Sequence, residues 1–131
     1  MSAPSVLALV KSLTNLSIEE MAAYLDMRPD TIRSALVGRR PIPVGAINEL
    51  VVLWYHIEAL ADKIVDRVDA YMLDGEVLEI GLPPPEQIEA LGLPTTSTLE
   101  RAFALVIARV PYEAKIIGHE LVEGSIYLSL K

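Results

Sequence analysis

Four residues, Asp26-Met27-Arg28-Pro29, constrain this chain more than any others. They separate two short stretches of helical periodicity by a gap that admits only a tight turn. Upstream, Ile18, Met21, Ala22 and Leu25 recur at helical spacing and mark one face of a helix. Ser17-x-x-Glu20 opens that helix as a capping box, in which the hydroxyl accepts from the Glu20 amide and the carboxylate reaches back. Downstream, Pro29 disfavours the α region at Arg28 and is itself well placed as the first residue of a new helix. This second helix is expected to run to about Val37 with Ile32, Ala35 and Leu36 inward, and Gly38 ends it at a C′ position. A preceding helix is expected over Ser5 to Ser12, in a stretch whose apolar residues are Val6, Leu7, Leu9, Val10 and Leu13.

Beyond this block, Arg39-Arg40-Pro41-Ile42-Pro43 reads as an extended loop, because two prolines so close together do not fit a helix interior. The longest helical segment follows, from about Val44 to Leu73. Ile47, Leu50, Val51, Trp54, Ile57, Leu60, Ala61, Ile64, Val68 and Tyr71 form its apolar side. One bent helix and two helices both fit this pattern, and Asp74-Gly75 ends it as a turn. Val77-Leu78-Glu79-Ile80 is a candidate strand, and Gly81-Leu82-Pro83-Pro84-Pro85 a rigid connector. A short helix over Pro85 to Leu91 is expected to close at Gly92. Ser97-x-x-Glu100 offers a second capping box for a helix carrying Leu99, Phe103, Val106, Ile107 and Val110 inward and stopping before Pro111. In the last segment Ile116-Ile117 suits a strand, and so does the alternation of Ile126, Leu128 and Leu130; a helix from His119 onwards is the rival reading. The fold expected is mainly α: an N-terminal bundle with a helix-turn-helix over residues 1–45, a long connecting helix over 46–75, and a small α or α+β C-terminal dimerisation region over 76–131.

Charge narrows the function classes. The net charge is −7, unevenly spread. Residues 1–45 hold five basic side chains (Lys11, Arg28, Arg33, Arg39, Arg40) against four acidic (Glu19, Glu20, Asp26, Asp30), leaving +1 there and −8 in the remainder. Screening confines electrostatic attraction to roughly 10 Å at physiological salt, so an acidic remainder weakens but does not forbid contact with a polyanion. The chain has no cysteine, which excludes disulfides, thiolate-ligated zinc and thiol catalysis. His56 and His119 lack metal-ligand spacing, and there is no P-loop, no Gly-x-Gly-x-x-Gly and no nucleophile elbow. Asp62, Asp66 and Asp69 share a helix face but read better as a solvated surface than as a metal site. No enzymatic activity, metal or cofactor is expected. The N-terminus lacks the charged start of a signal peptide, and no uninterrupted apolar run approaches the ~20 residues that cross a bilayer, so a cytoplasmic protein without a membrane association is expected.

The block Leu16 to Pro43, LSIEEMAAYLDMRPDTIRSALVGRRPIP, resembles the helix-turn-helix of the lambda-repressor/Cro-like regulators. The resemblance covers both helices, the turn and the Gly38-Arg39-Arg40 loop with Pro43. In that motif a small residue sits where the helices cross, here Ala22, and apolar side chains fill the wedge between them, here Leu25 and Ile32. The family usually has glycine at the turn, where this chain has Asp26, and a larger aliphatic where it has Ala35; Leu36 is the candidate to fill that space. The resemblance implies that the second helix enters the major groove of double-stranded DNA. Arg28, Pro29, Asp30, Arg33, Ser34 and Val37 would then face outward. Arg28 and Arg33 are the base-reading candidates, since arginine matches the two acceptors of guanine. Thr31 or Ser34 suits a phosphate or a base edge, and Arg39 and Arg40 suit orienting phosphate contacts. Each residue also has a plainer role: Arg28 as a solvated helix start, Arg33 as an ion-pair partner of Asp30, Glu19 and Glu20 as cap and dipole partners.

A wider resemblance joins Gly38-Arg39-Arg40, Pro43, a long helix ending at Asp74-Gly75 and Ile117-Gly118. It is to the YdiL-like regulators, a group that includes autorepressors associated with anti-CRISPR operons, and it implies that the C-terminal part dimerises. Dimerisation has a separate argument, since paired heads read two half-sites and gain specificity. A dimeric, sequence-specific transcriptional repressor or autorepressor is therefore expected. The other class is a protein-interaction module, or a toxin-neutralising antitoxin, whose acidic C-terminal part binds a partner.

Overall fold

The computed structural model describes residues 3–71, 78–81, 88–110 and 114–117. Within them the chain is mainly helical: α1 (Ala3–Thr14), α2 (Ile18–Leu25), α3 (Pro29–Leu36), α4 (Val44–Tyr71) and α5 (Thr96–Arg109). Two short strands, β1 (Leu78–Gly81) and β2 (Ala114–Ile117), and a 3-10 turn at Glu89–Leu91 complete the described elements. The chain divides into two compact units, Met1–His56 and Ile57–Lys131, with the division inside α4.

In the first unit α3 packs on both α1 and α2. Leu7 and Val10 of α1, Leu16, Met21 and Ala22, Ile32 and Ala35 of α3, Ile42, and Leu50 and Leu53 of α4 are all buried. Each large aliphatic among them contributes roughly 1.5–3 kcal/mol by leaving water. Helix α1 is longer at both ends than its apolar pattern implied. Its last residue, Thr14, is fully buried, and its hydroxyl donates to the carbonyls of Val10 at 2.8 Å and Lys11 at 3.2 Å, so the buried polar group is satisfied. Asn15 follows with φ 63, a left-handed residue that ends the helix.

The long segment is one helix. Its buried stripe is Leu50, Leu53, Ile57, Leu60, Ala61 and Ile64. Ile47, Val51 and Trp54, expected on the apolar side, are half-buried, and Leu53, absent from that pattern, is buried. Leu50 to Tyr55 is apolar throughout, so periodicity alone does not fix which side faces in. Val44, Val52 and Tyr55 are left exposed. Contrary to the expectation that no stretch approaches the length that crosses a bilayer, α4 contains one. Val44–Arg67 is long and apolar enough by length and composition, a property that core helices share with membrane spans.

In the second unit α5 begins two residues earlier than the second capping box implied. Thr95, not Ser97, is the N-cap: its hydroxyl accepts from the Thr98 amide at 3.1 Å, and the Thr98 hydroxyl accepts from the Thr95 amide at 3.3 Å. Leu99, Ala102, Phe103, Val106 and Val110 are buried, while Ile107 is half-buried. Arg109 donates to Asp62 at 2.6 Å and to Glu58 at 3.5 Å, which ties the end of α5 to α4. The strands pair in parallel, with Leu78 opposite Ala114 and Gly81 opposite Ile117. Parallel strands need a crossover, and α5 lies in it. Leu78 to Ile80 and Ile116-Ile117, expected as strand, lie in β1 and β2, while Val77 lies outside the described residues. Gly92 has φ +79 after the 3-10 turn, where a closing glycine was expected. The Asp74-Gly75 turn, the proline connector, Gly118, His119 and the segment from Ser125 to Leu130 lie outside the described residues.

Candidate nucleic-acid interface

The candidate site is built on two eight-residue helices, α2 and α3, joined by residues 26–28. Helix α2 begins as its sequence dictates: the Ser17 hydroxyl accepts from the Glu20 amide at 3.0 Å, and Glu20 Oε1 accepts from the Ser17 amide at 2.9 Å. It ends at Asp26, whose φ of 53 and ψ of 48 place it in the left-handed region. The Asp26 amide donates to Ala23 at 3.3 Å and the Met27 amide to Ala22 at 2.8 Å, the paired bonds of a Schellman closure. Aspartate therefore occupies the conformation for which glycine is the usual residue. Pro29 then starts α3 directly after Arg28, whose φ of −79 and ψ of 141 are extended, as a residue before proline prefers.

Helix α3 closes the same way. Gly38 has φ 79, its amide donates to Ala35 at 3.1 Å, and the Arg39 amide donates to Ser34 at 2.9 Å. These bonds turn the chain sharply and bring the Arg39-Arg40 loop against the C-terminal end of α3. Ala22 and Ile32 are buried between the helices, and Leu25 is half-buried. Ala35 is itself buried at 1% exposure, while Leu36, the candidate to fill the space beside it, is only half-buried.

Among the expected contact residues, Arg28, Pro29, Asp30, Arg33, Arg39 and Arg40 are exposed, while Thr31 and Ser34 are half-buried. The arginines differ in one respect. Arg33 donates from Nη2 to Glu19 at 2.8 Å and from Nη1 to Asp30 at 3.0 Å. Arg28, Arg39 and Arg40 take part in no ion pair among the described residues. The Arg33–Asp30 pair was one of the roles open to Arg33 from the sequence. The Glu19 contact was not, because the two residues lie far apart in the chain and only the α2–α3 crossing brings them together.

A shallow groove of about 410 Å³ lies nearby, lined by Tyr24 of α2 and by Gly45, Asn48, Glu49 and Val52 of α4. Partial burial, and then the Glu49 carboxylate, push the Tyr24 phenol above its ordinary pKa. Sequence reasoning assigned no role to these residues; a lone tyrosine on the outer side of a short helix carries no signal before the helix directions are known. Comparison of the chain with protein-family models, with curated proteins and with solved structures finds no match.

Proposed function

We propose that this protein is a sequence-specific double-stranded DNA-binding regulator, a dimeric transcriptional repressor or autorepressor that reads a palindromic operator through a helix-turn-helix formed by α2 and α3. The observation that carries this reading is the pair of left-handed closures at Asp26 and Gly38. The first folds two short helices onto each other. The second swings Arg39 and Arg40 to the end of α3, so that the exposed face of this helix is flanked by Arg28 at its start and two arginines after its end. Arg28 would read a base edge, and Arg39 and Arg40 would fix orientation on phosphates. The reading includes a cytoplasmic, cofactor-free, non-enzymatic protein without a membrane association.

One observation favours a second reading. Val52, which lines the Tyr24–Glu49 groove, is exposed, as are Val44 and Tyr55 of the same helix, apolar surface suited to a protein partner, as in an interaction module or antitoxin.

Fluorescence anisotropy with duplex DNA from immediately upstream of the gene, at two salt concentrations and against a scrambled duplex, tests the first reading. Salt-sensitive binding that prefers the native duplex is expected. Arg28→Ala should weaken it by about 1–3 kcal/mol and relax base preference, whereas Arg39→Ala and Arg40→Ala should weaken all sequences alike and each lower the salt slope by about 1. A genome-wide selection that enriches no duplex overturns the DNA reading in favour of the partner-binding one.

A further inference from the structure

The two carboxylates on Arg33 bear on which cations reach DNA. Glu19 lies in the first turn of α2, one residue before the Glu20 that makes the cap, so it is not used in closing the helix. It instead reaches across to α3, where its Oε1 accepts from Arg33 at 2.8 Å. Asp30, one helical turn before Arg33, accepts from the other terminal nitrogen at 3.0 Å. Both ends of the guanidinium fork are thereby occupied. The side chains remain open to solvent, at 51% exposure for Arg33, 66% for Glu19 and 93% for Asp30, so the clamp can open without disturbing the core.

From this geometry we infer that Glu19 and Asp30 withhold Arg33 from DNA and so set the affinity of the head; Glu19 is a positioning residue of the interface that acts through Arg33. The inference rests on the DNA-binding reading. In the free protein Arg33 is neutralised by two partners, and any contact it makes with a phosphate or a guanine must first break them. Exposed pairs of this type are weak, worth about 1.5- to 5-fold each in an equilibrium. The clamp is therefore a throttle and not a block: Arg28, Arg39 and Arg40 make the encounter, and Arg33 joins only where the duplex offers an acceptor that competes with both carboxylates. A head with weak general attraction to phosphate discriminates better among duplexes, because non-specific binding is almost wholly electrostatic.

The test is a double-mutant cycle in the full chain, read as affinity for the preferred duplex. Glu19→Gln and Asp30→Asn remove one partner each. Asp26→Asn removes the same unit of charge from the same head without touching Arg33, and asparagine tolerates the left-handed position. Glu19→Gln and Asp30→Asn are expected to raise affinity about 2- to 5-fold more than Asp26→Asn does. The excess should vanish when Arg33→Ala is also present, and the salt slope should steepen by about 0.9 where the freed Arg33 reaches a phosphate. Circular dichroism and thermal melts confirm that each variant is folded; should one carboxylate variant fail to fold, the other still closes the cycle. Gains equal to that of Asp26→Asn, or gains that persist without Arg33, overturn the inference while leaving the DNA reading intact. Loss of all duplex preference in the unmodified protein overturns the reading and this inference with it.

Discussion

Asp26 is the residue on which the head turns, and it is not the residue best suited to the position. A left-handed conformation costs an L-residue roughly 1–2 kcal/mol, relieved in part for aspartate and asparagine by local hydrogen bonding. Asp26→Gly is expected to stabilise the protein by about 0.5 kcal/mol, net of the added freedom of the unfolded chain. Asp26→Val should destabilise it by about 1–2 kcal/mol, since a branched side chain resists this region most. Urea titrations of the two variants check both signs. Tyr24 gives a pH prediction at the same scale. Its folded-state pKa is raised, so between the unfolded and folded values the native state binds more protons than the unfolded one. Stability associated with this group is present below about pH 10 and declines as pH rises through the folded value. Thermal melts across that alkaline range should show the decline shallower in Tyr24→Phe, and also in Glu49→Gln, which removes the second cause of the shift.

At the scale of elements, the ends of helices were legible wherever one residue type does the chemistry. Ser17 with Glu20, Pro29 after the turn and Gly38 after α3 all stand where local pattern put them. Where several residues offer the same chemistry, pattern gives the element but not its phase. Thr95, Thr96, Ser97 and Thr98 all carry hydroxyls, and only the backbone conformation at Thr95 decides which one caps α5. Along α4 the run Leu50 to Tyr55 is apolar on every side, so Leu53 was missed and Val51 and Trp54 were placed too deep. The Glu19–Arg33 contact was illegible for a third reason: it belongs to the crossing of two helices and to neither alone. The cap assignment is open to direct measurement. Thr95→Ala should cost about 1 kcal/mol in chemical denaturation, as loss of an N-cap hydroxyl does, and Ser17→Ala should cost a similar amount.

At the scale of the whole molecule, net charge is uneven along the chain, near neutral over residues 1–45 and strongly negative beyond. Two of the carboxylates there, Glu58 and Asp62, are partnered by Arg109. Arg109→Ala should destabilise the second unit by no more than about 1 kcal/mol per exposed pair. A melt of the full chain reads this.

The parallel pairing of β1 with β2 also carries a consequence in time. Every turn of the first unit joins neighbours in sequence, and such contacts form quickly because little chain must be ordered before they are rewarded. Leu78 meets Ala114 only after the whole intervening segment, α5 included, has been drawn into a closed loop, and the entropy of that closure is spent before any ladder bond returns it. Helices α1 to α3 are thus expected to acquire protected amides early in refolding, with the two strands gaining protection last. Pulsed hydrogen exchange resolves the order, and equal protection times for the strands and for the turn at Asp26 would contradict it.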